Sequence, residues 1–138
     1  ELHTREVTSR KDVPAALRAL LREEDIDALW MIPDDTVVTP ESFKFLLLTS
    51  FERNLPFLAA SDIFVKVGAL ASLTPDYTAV GQQGCELATA LTSGRASAAS
   101  LNVVVPAKIN LSINLKTAQK IGLAIPDVVI ATADVVYR

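Results

Sequence analysis

Asp34 and Asp35 are adjacent carboxylates that close an apolar run, Leu29-Trp30-Met31-Ile32-Pro33, and lead through Thr36-Val37-Val38 into Thr39-Pro40-Glu41. In open α/β sheets, ligands are held in the crevice beyond the carboxyl ends of the strands, so this junction puts Asp34, Asp35 and Thr36 where a ligand would sit. A carboxylate there can accept an ammonium group. The free N–H groups of a helix starting near Thr39 can receive a carboxylate or another anion. A zwitterionic small molecule suits that dipolar cradle. The same residue types also cap turns and helices, and that reading stands beside the first for both aspartates. Paired carboxylates at a strand end also suit Mg²⁺, as in phosphoryl-transfer receivers. No Gly-rich phosphate loop and no suitably placed acceptor and lysine accompany them here.

Other polar residues recur at comparable junctions. Ser61 and Asp62 follow the apolar run Pro56-Phe57-Leu58-Ala59-Ala60 and can line the same crevice or form a turn. Asp76 and Tyr77 follow the turn Thr74-Pro75, where a helix cap and a partly buried aromatic are the plain alternatives to a ligand role. Trp30 lies inside an apolar run and is expected in the core, with stacking on a ligand as the rival role. Asn114 is expected to bond backbone at a turn rather than to touch ligand. His3 is the single histidine and is remote in sequence from the acidic pairs, which leaves little for a catalytic triad or a histidine-bearing metal site. Cys85, the single cysteine, sits among small residues of a helix and is expected to be a packed, inert thiol. It excludes an internal disulfide framework and leaves the redox compartment open. These features predict no enzyme, no metal and no cofactor.

The elements that must position these residues follow from periodicity. Leu2 to Val7 predicts a short strand, after which Ser9 or Asp12 can cap a helix with Val13, Ala16, Leu17, Leu20 and Leu21 on one face. Ala28 to Ile32 is too short for a helix and suits a strand covered on both faces, which implies a parallel sheet. Thr39-Pro40-Glu41 combines a hydroxyl cap, a preset φ and a carboxylate at the positive end of the dipole, and predicts a helix to about Arg53. Its stripe is Phe43, Leu46, Leu47 and Phe51, widened by Phe45 and Leu48. Pro56 to Ser61 reads as the next strand. Val65 to Leu73 is apolar around Gly68, and a helix follows from about Tyr77 to Thr92. Leu101 to Val105 and Ile109 to Asn114 read as strands, Lys116 to Ile121 and Pro126 to Ala133 as short helices. This order predicts a three-layer α/β sandwich with a mostly parallel sheet.

Composition sets the broad class. The chain has 138 residues, 50% hydrophobic and 21% charged, enough to bury a substantial interior. With 13 basic and 16 acidic residues, a net charge of -3 and no cluster of Lys and Arg, nucleic acid is excluded as an expected partner. No run reaches the roughly 20 apolar residues that cross a bilayer. The first residues have neither a basic nor an apolar signal region, so any export signal lies outside residues 1–138 or has been removed.

Four segments in one order carry a resemblance: Asp34-Asp35-Thr36-Val37-Val38 after an apolar strand; Pro56 to Asp62; Val67-Gly68-Ala69-Leu70-Ala71-Ser72-Leu73 with Asp76-Tyr77 and Gly81; and Ile113-Asn114-Leu115-Lys116-Thr117-Ala118 with Gly122-Leu123-Ala124-Ile125-Pro126. Together they resemble the ABC transporter substrate-binding protein family that includes the tryptophan-transport-associated binding proteins, of the type I periplasmic-binding-protein fold. Asp35 departs from the Asn or Pro that many members carry there.

The resemblance implies only the C-terminal part of a two-lobed protein, beginning at the second strand of the second lobe. Residues 1–67 would form the core of that lobe, 68–95 would cross to the first lobe, and 96–138 would return as a linker, strands and short helices. It implies a binding module that captures a small polar organic ligand, an amino acid among the candidates, between two lobes and presents it to an ABC permease. Asp34 would contact ligand, and Asp76 and Tyr77 would stand near the hinge. The location would be periplasmic or extracytoplasmic, with or without a lipid anchor. The rival reading is a ligand-sensing regulatory domain of the same fold that drives a signalling or transcription partner. Alone, the chain is expected to form a homodimer through the 68–95 segment and to bind ligand weakly or not at all.

Overall fold

A computed structural model describes all of residues 1–138. Ser9, extended, accepts from the Lys11 amide at 3.2 Å and opens a short 3-10 turn at Arg10–Asp12 that runs into helix α1, Val13–Glu23. Asp12 precedes α1 without a side-chain cap bond, and Pro14 fits its first turn. The buried face of α1 carries Val13 and Leu17.

Strand β1 is only Leu29–Trp30. It pairs in parallel with β2, Phe57–Ala59, through the Leu29 amide on the Pro56 carbonyl at 2.8 Å and the Met31 amide on the Leu58 carbonyl at 2.9 Å. Between them lies α2, Pro40–Arg53, which begins as the Thr39-Pro40-Glu41 signal predicts: Thr39 Oγ1 accepts from the Ser42 amide at 3.1 Å. It ends at Asn54, whose φ of 53° is the left-handed conformation that terminates helices. Buried Ser50 donates its hydroxyl to the Leu55 carbonyl at 2.7 Å, fixing the exit into β2.

Helix α3, Asp62–Lys66, joins β2 to β3, Ala71–Pro75, again parallel. Gly68 lies in this connection at φ +128°, and a Cβ there would meet Leu47 Cδ2 at 3.2 Å, so both backbone and space call for glycine. Next come α4, Tyr77–Thr92, β4, Ile109–Asn114, α5, Leu115–Lys120, α6, Asp127–Thr132, and β5, Val135–Tyr137, which pairs in parallel with β4. The five strands follow chain order, β1-β2-β3-β4-β5, in one sheet flanked by helices, the predicted α/β class.

The chain divides into two compact units, one of residues 1–73 and 111–138, the other of residues 74–110. The core of the first unit gathers Leu17, Leu29, Met31, Phe43, Leu46, Phe57, Ala59, Val65 and Ala69. Phe43 joins its layers, with its ring centroid 5.9 Å from that of Phe57 and 4.6 Å from that of Phe64. In the second unit α4 buries no residue.

Several expectations need correction. Leu2 to Val7 and Leu101 to Val105 are not strands, because extended chain becomes a strand only where a ladder partner lies beside it. Trp30 is not a core residue. β1 alternates, with Leu29 and Met31 buried while Trp30 is 65% exposed and Ile32 is also exposed, so the strand is not covered on both faces. Cys85 is exposed, since the small-residue face of α4 has nothing packed over it. Leu48, assigned to the α2 stripe, is likewise exposed. Val65 to Leu73 divides between the end of α3 and the start of β3, and β5 is an additional strand.

Candidate functional site

In the first unit, parallel pairing sends the loops after β1 and β2 out of the same edge of the sheet. Trp30 is level with Leu58, so Asp34 and Ser61 both lie a few residues beyond paired positions. Asp34 is the pivot of the first loop. Its carbonyl accepts the Val37 amide at 3.0 Å and the Val38 amide at 2.7 Å, and Oδ1 accepts the Thr36 amide at 2.8 Å. This Asx-type turn swings the chain toward the Thr39 cap. Oδ1 is therefore committed within the protein, while Oδ2 takes no intramolecular bond and the residue is exposed. Asp35 is exposed and unpaired, and Thr36 is half-buried.

At the end of β2, Ser61 stands at the N-terminal boundary of α3 without a side-chain cap bond, and its carbonyl accepts the Phe64 amide at 3.2 Å. Its hydroxyl is free to meet another group, and Asp62 beside it is exposed. The structure thus places Asp34, Asp35 and Thr36 in the loop after β1, and Ser61 and Asp62 at the start of α3 after β2, beyond neighbouring strand ends. Asp34 joins structural work to an available oxygen.

Asp76 and Tyr77 belong to the second unit. Asp76 Oδ1 accepts the Thr78 and Ala79 amides at 3.0 and 3.1 Å, capping α4, and Oδ2 pairs with Lys108 Nζ at 3.0 Å. The Asp76 amide donates to the Lys108 carbonyl at 2.9 Å. The Ala79 amide, with Lys108 next, holds this carboxyl below the ordinary aspartate range. Both oxygens are committed. Lys108 is the partner that sequence reasoning missed, because nothing local relates it to Asp76. Tyr77, which starts α4, is 74% exposed.

Asn114 behaves as expected of a backbone-bonding residue. Buried, it donates from Nδ2 to the Val65 carbonyl at 2.8 Å and accepts the Thr117 amide on Oδ1 at 3.0 Å. Thr117 Oγ1 then donates to the Gly68 carbonyl at 2.9 Å. No three side chains among His, Cys, Asp and Glu gather in a group able to hold a metal ion.

A cavity of about 680 Å³ in the first unit lies elsewhere. It runs between the Glu1–Val7 segment, α1 and Ala28–Ile32, with Val37 and Leu46 also on its wall. Asp34 and Asp35 are not in its lining.

A mostly parallel α/β sheet with polar strand-end loops defines a periplasmic-binding-protein-like domain. The chain belongs to the ABC transporter substrate binding protein family, whose model matches residues 1–137. Among solved structures it is similar to a conserved domain protein from Vibrio cholerae O1 biovar eltor str. N16961, with 28% identity, TM-score 0.68, and coverage of 94% of this chain and 42% of that one. It is also similar to the ABC domain in complex with L-Trp from Streptococcus pneumonia, with 25% identity, TM-score 0.71, and coverage of 97% and 44%. A ligand-free, open substrate-binding protein with adhesive properties from Clostridium difficile shares the fold at 22% identity and TM-score 0.66, with coverage of 96% and 43%. The chain therefore spans less than half the length of these relatives. No curated protein matches it.

Proposed function

We propose that this chain is part of the solute-binding component of an ABC importer, and that the whole protein captures a small polar organic ligand, of the amino-acid class, in a cleft between two lobes for delivery to a permease. The observation that carries this reading is the family match over residues 1–137, joined to available polar groups at the strand ends of the first unit. The L-Trp bound to the Streptococcus pneumonia relative supports an amino acid as the first ligand class to test. Asp34 Oδ2, Asp35, Thr36, Ser61 and Asp62 are the residues proposed to face ligand. Asp76 is proposed to hold the start of α4, and Tyr77 to line the hinge region. Residues 68–95 are proposed to cross to the first lobe, and the separate compactness of residues 74–110 with the uncovered face of α4 supports that. Closure on ligand would follow from contacts made only in the closed state. No helix is long and apolar enough to cross a membrane. An extracytoplasmic location, typical of the family, belongs to the same proposal, free or lipid-anchored.

The test is a thermal-shift screen of a full-length protein containing this chain, with amino acids and small metabolites, since binding to the native state raises the midpoint by mass action. Asp34→Asn keeps the Oδ1 acceptor and the turn but removes the charge. It should leave the unliganded midpoint close to that of the parent and cut the ligand-induced shift. An unchanged shift would reassign Asp34 to a purely structural role.

A further inference from the structure

We infer that Asn114 and Thr117 are positioning residues of the proposed ligand site: from the far end of α3 they set where its first residues stand, Ser61 at the boundary and Asp62. The inference rests on the reading of Ser61 and Asp62 as ligand-facing. α3 has five residues, and Ser61 gives it no side-chain cap bond. So short a helix is marginal by itself and takes its place from its neighbours. Its anchorage lies at the other end.

Three carbonyls between Val65 and Leu70 are taken by donors of two residues. Asn114 Nδ2 donates to the Val65 carbonyl at 2.8 Å, Thr117 Oγ1 to that of Gly68 at 2.9 Å, and the Asn114 amide to that of Leu70 at 2.8 Å. Asn114 Oδ1 accepts the Thr117 amide at 3.0 Å, so the two donors are themselves locked together. Both side-chain bonds to this stretch join residues 49 apart in sequence. Asn114 and Thr117 are buried, where water competes little for such bonds. Packing restrains α3 as well, since Val65 is fully buried and the Phe64 ring lies 4.6 Å from that of Phe43, centroid to centroid. Apolar contact has no direction, whereas hydrogen bonds do, so the bonds fix how far α3 extends along its own axis. Asn114 is the last residue of β4. The ligand-facing start of α3 is therefore referred to that strand, and not only to the loop that carries it.

Thr117→Val tests this with little disturbance, since valine keeps the branched shape and the amide that meets Asn114 and removes only the hydroxyl. In the 138-residue chain, exchange of the Phe64, Val67 and Ala69 amides, which bond within α3 and its exit, should quicken about tenfold more than exchange of the Phe43 amide in α2. That is the loss expected when one buried acceptor is deprived of its donor and the opening is local. The Ser61 and Asp62 amide resonances should move too. Thr117→Ser keeps the hydroxyl and should restore both. In a full-length protein containing this chain, the probe is an equimolar mixture of the standard amino acids. Its thermal shift, referred to each protein's own unliganded midpoint, should be smaller for Thr117→Val than for the parent or Thr117→Ser. Equal quickening in α2 and α3 would reduce Thr117 to ordinary stability and overturn the inference. So would an undiminished shift in Thr117→Val once the parent responds. A parent left unshifted by the mixture overturns the amino-acid reading first, and this inference with it.

Discussion

Asn114 shows how much one buried side chain can hold. Replacing it with leucine would strip a donor from the Val65 carbonyl and an acceptor from the Thr117 amide, both in buried surroundings. The expected cost is about 3 kcal/mol, measured by denaturant unfolding, and Asn114→Asp should lose no less, because its second oxygen would face the Val65 carbonyl acceptor against acceptor in a buried place. Gly68→Ala should cost more than about 1 kcal/mol in the same assay, because φ +128° is strained for any L side chain and Leu47 must also give way. The candidate site was legible at this scale as residue types. That Asp34, Ser61 and their neighbours follow strands could be read from where apolar runs stop. Which oxygen of Asp34 is committed could not, because the Thr36 amide reaches it only once the turn has closed. Trp30 misled for a related reason. An indole in an apolar run reads as core, and only the alternation of a half-covered edge strand turns it outward.

Among the elements, helices were more legible than strands. Helix signals are local: Thr39 and Pro40 start α2, and α4 spans Tyr77–Thr92 as its pattern predicts. A strand depends on a neighbour often distant in sequence, so Leu101 to Val105 has suitable residues and stays irregular, while Val135–Tyr137 becomes β5 because β4 lies alongside. The α4 cap carries a pH dependence. With the Asp76 carboxyl held below its ordinary value of 3.8, its stabilising contribution is fully present above that value and is lost as the pH falls through the lowered one. The protection of the Thr78 and Ala79 amides, taken relative to their intrinsic exchange at each pH, should therefore fall as the solution is acidified below about pH 4, the ordinary carboxylate range. Asp76→Asn, which keeps a capping oxygen without the charge, should flatten that response.

For the whole molecule, a match across residues 1–137 coexists with a length below half that of its structural relatives. The second unit carries the clearest mark of this. α4 buries nothing, and Val80 and Leu91 are exposed on it. The isolated chain is accordingly proposed to self-associate through residues 68–95, and sedimentation velocity should show a dimer that a full-length protein does not form. Compact monomer at every concentration would refute this. The Asp76–Lys108 tie has a further consequence. The backbone bond and the ion pair pinch the base of the intervening excursion, so its entry and exit lie side by side. Such a neck is a natural splice junction: a short Gly-Ser bridge in place of residues 78–106 needs little closure entropy, and the same ends could carry a foreign module grafted onto the sheet.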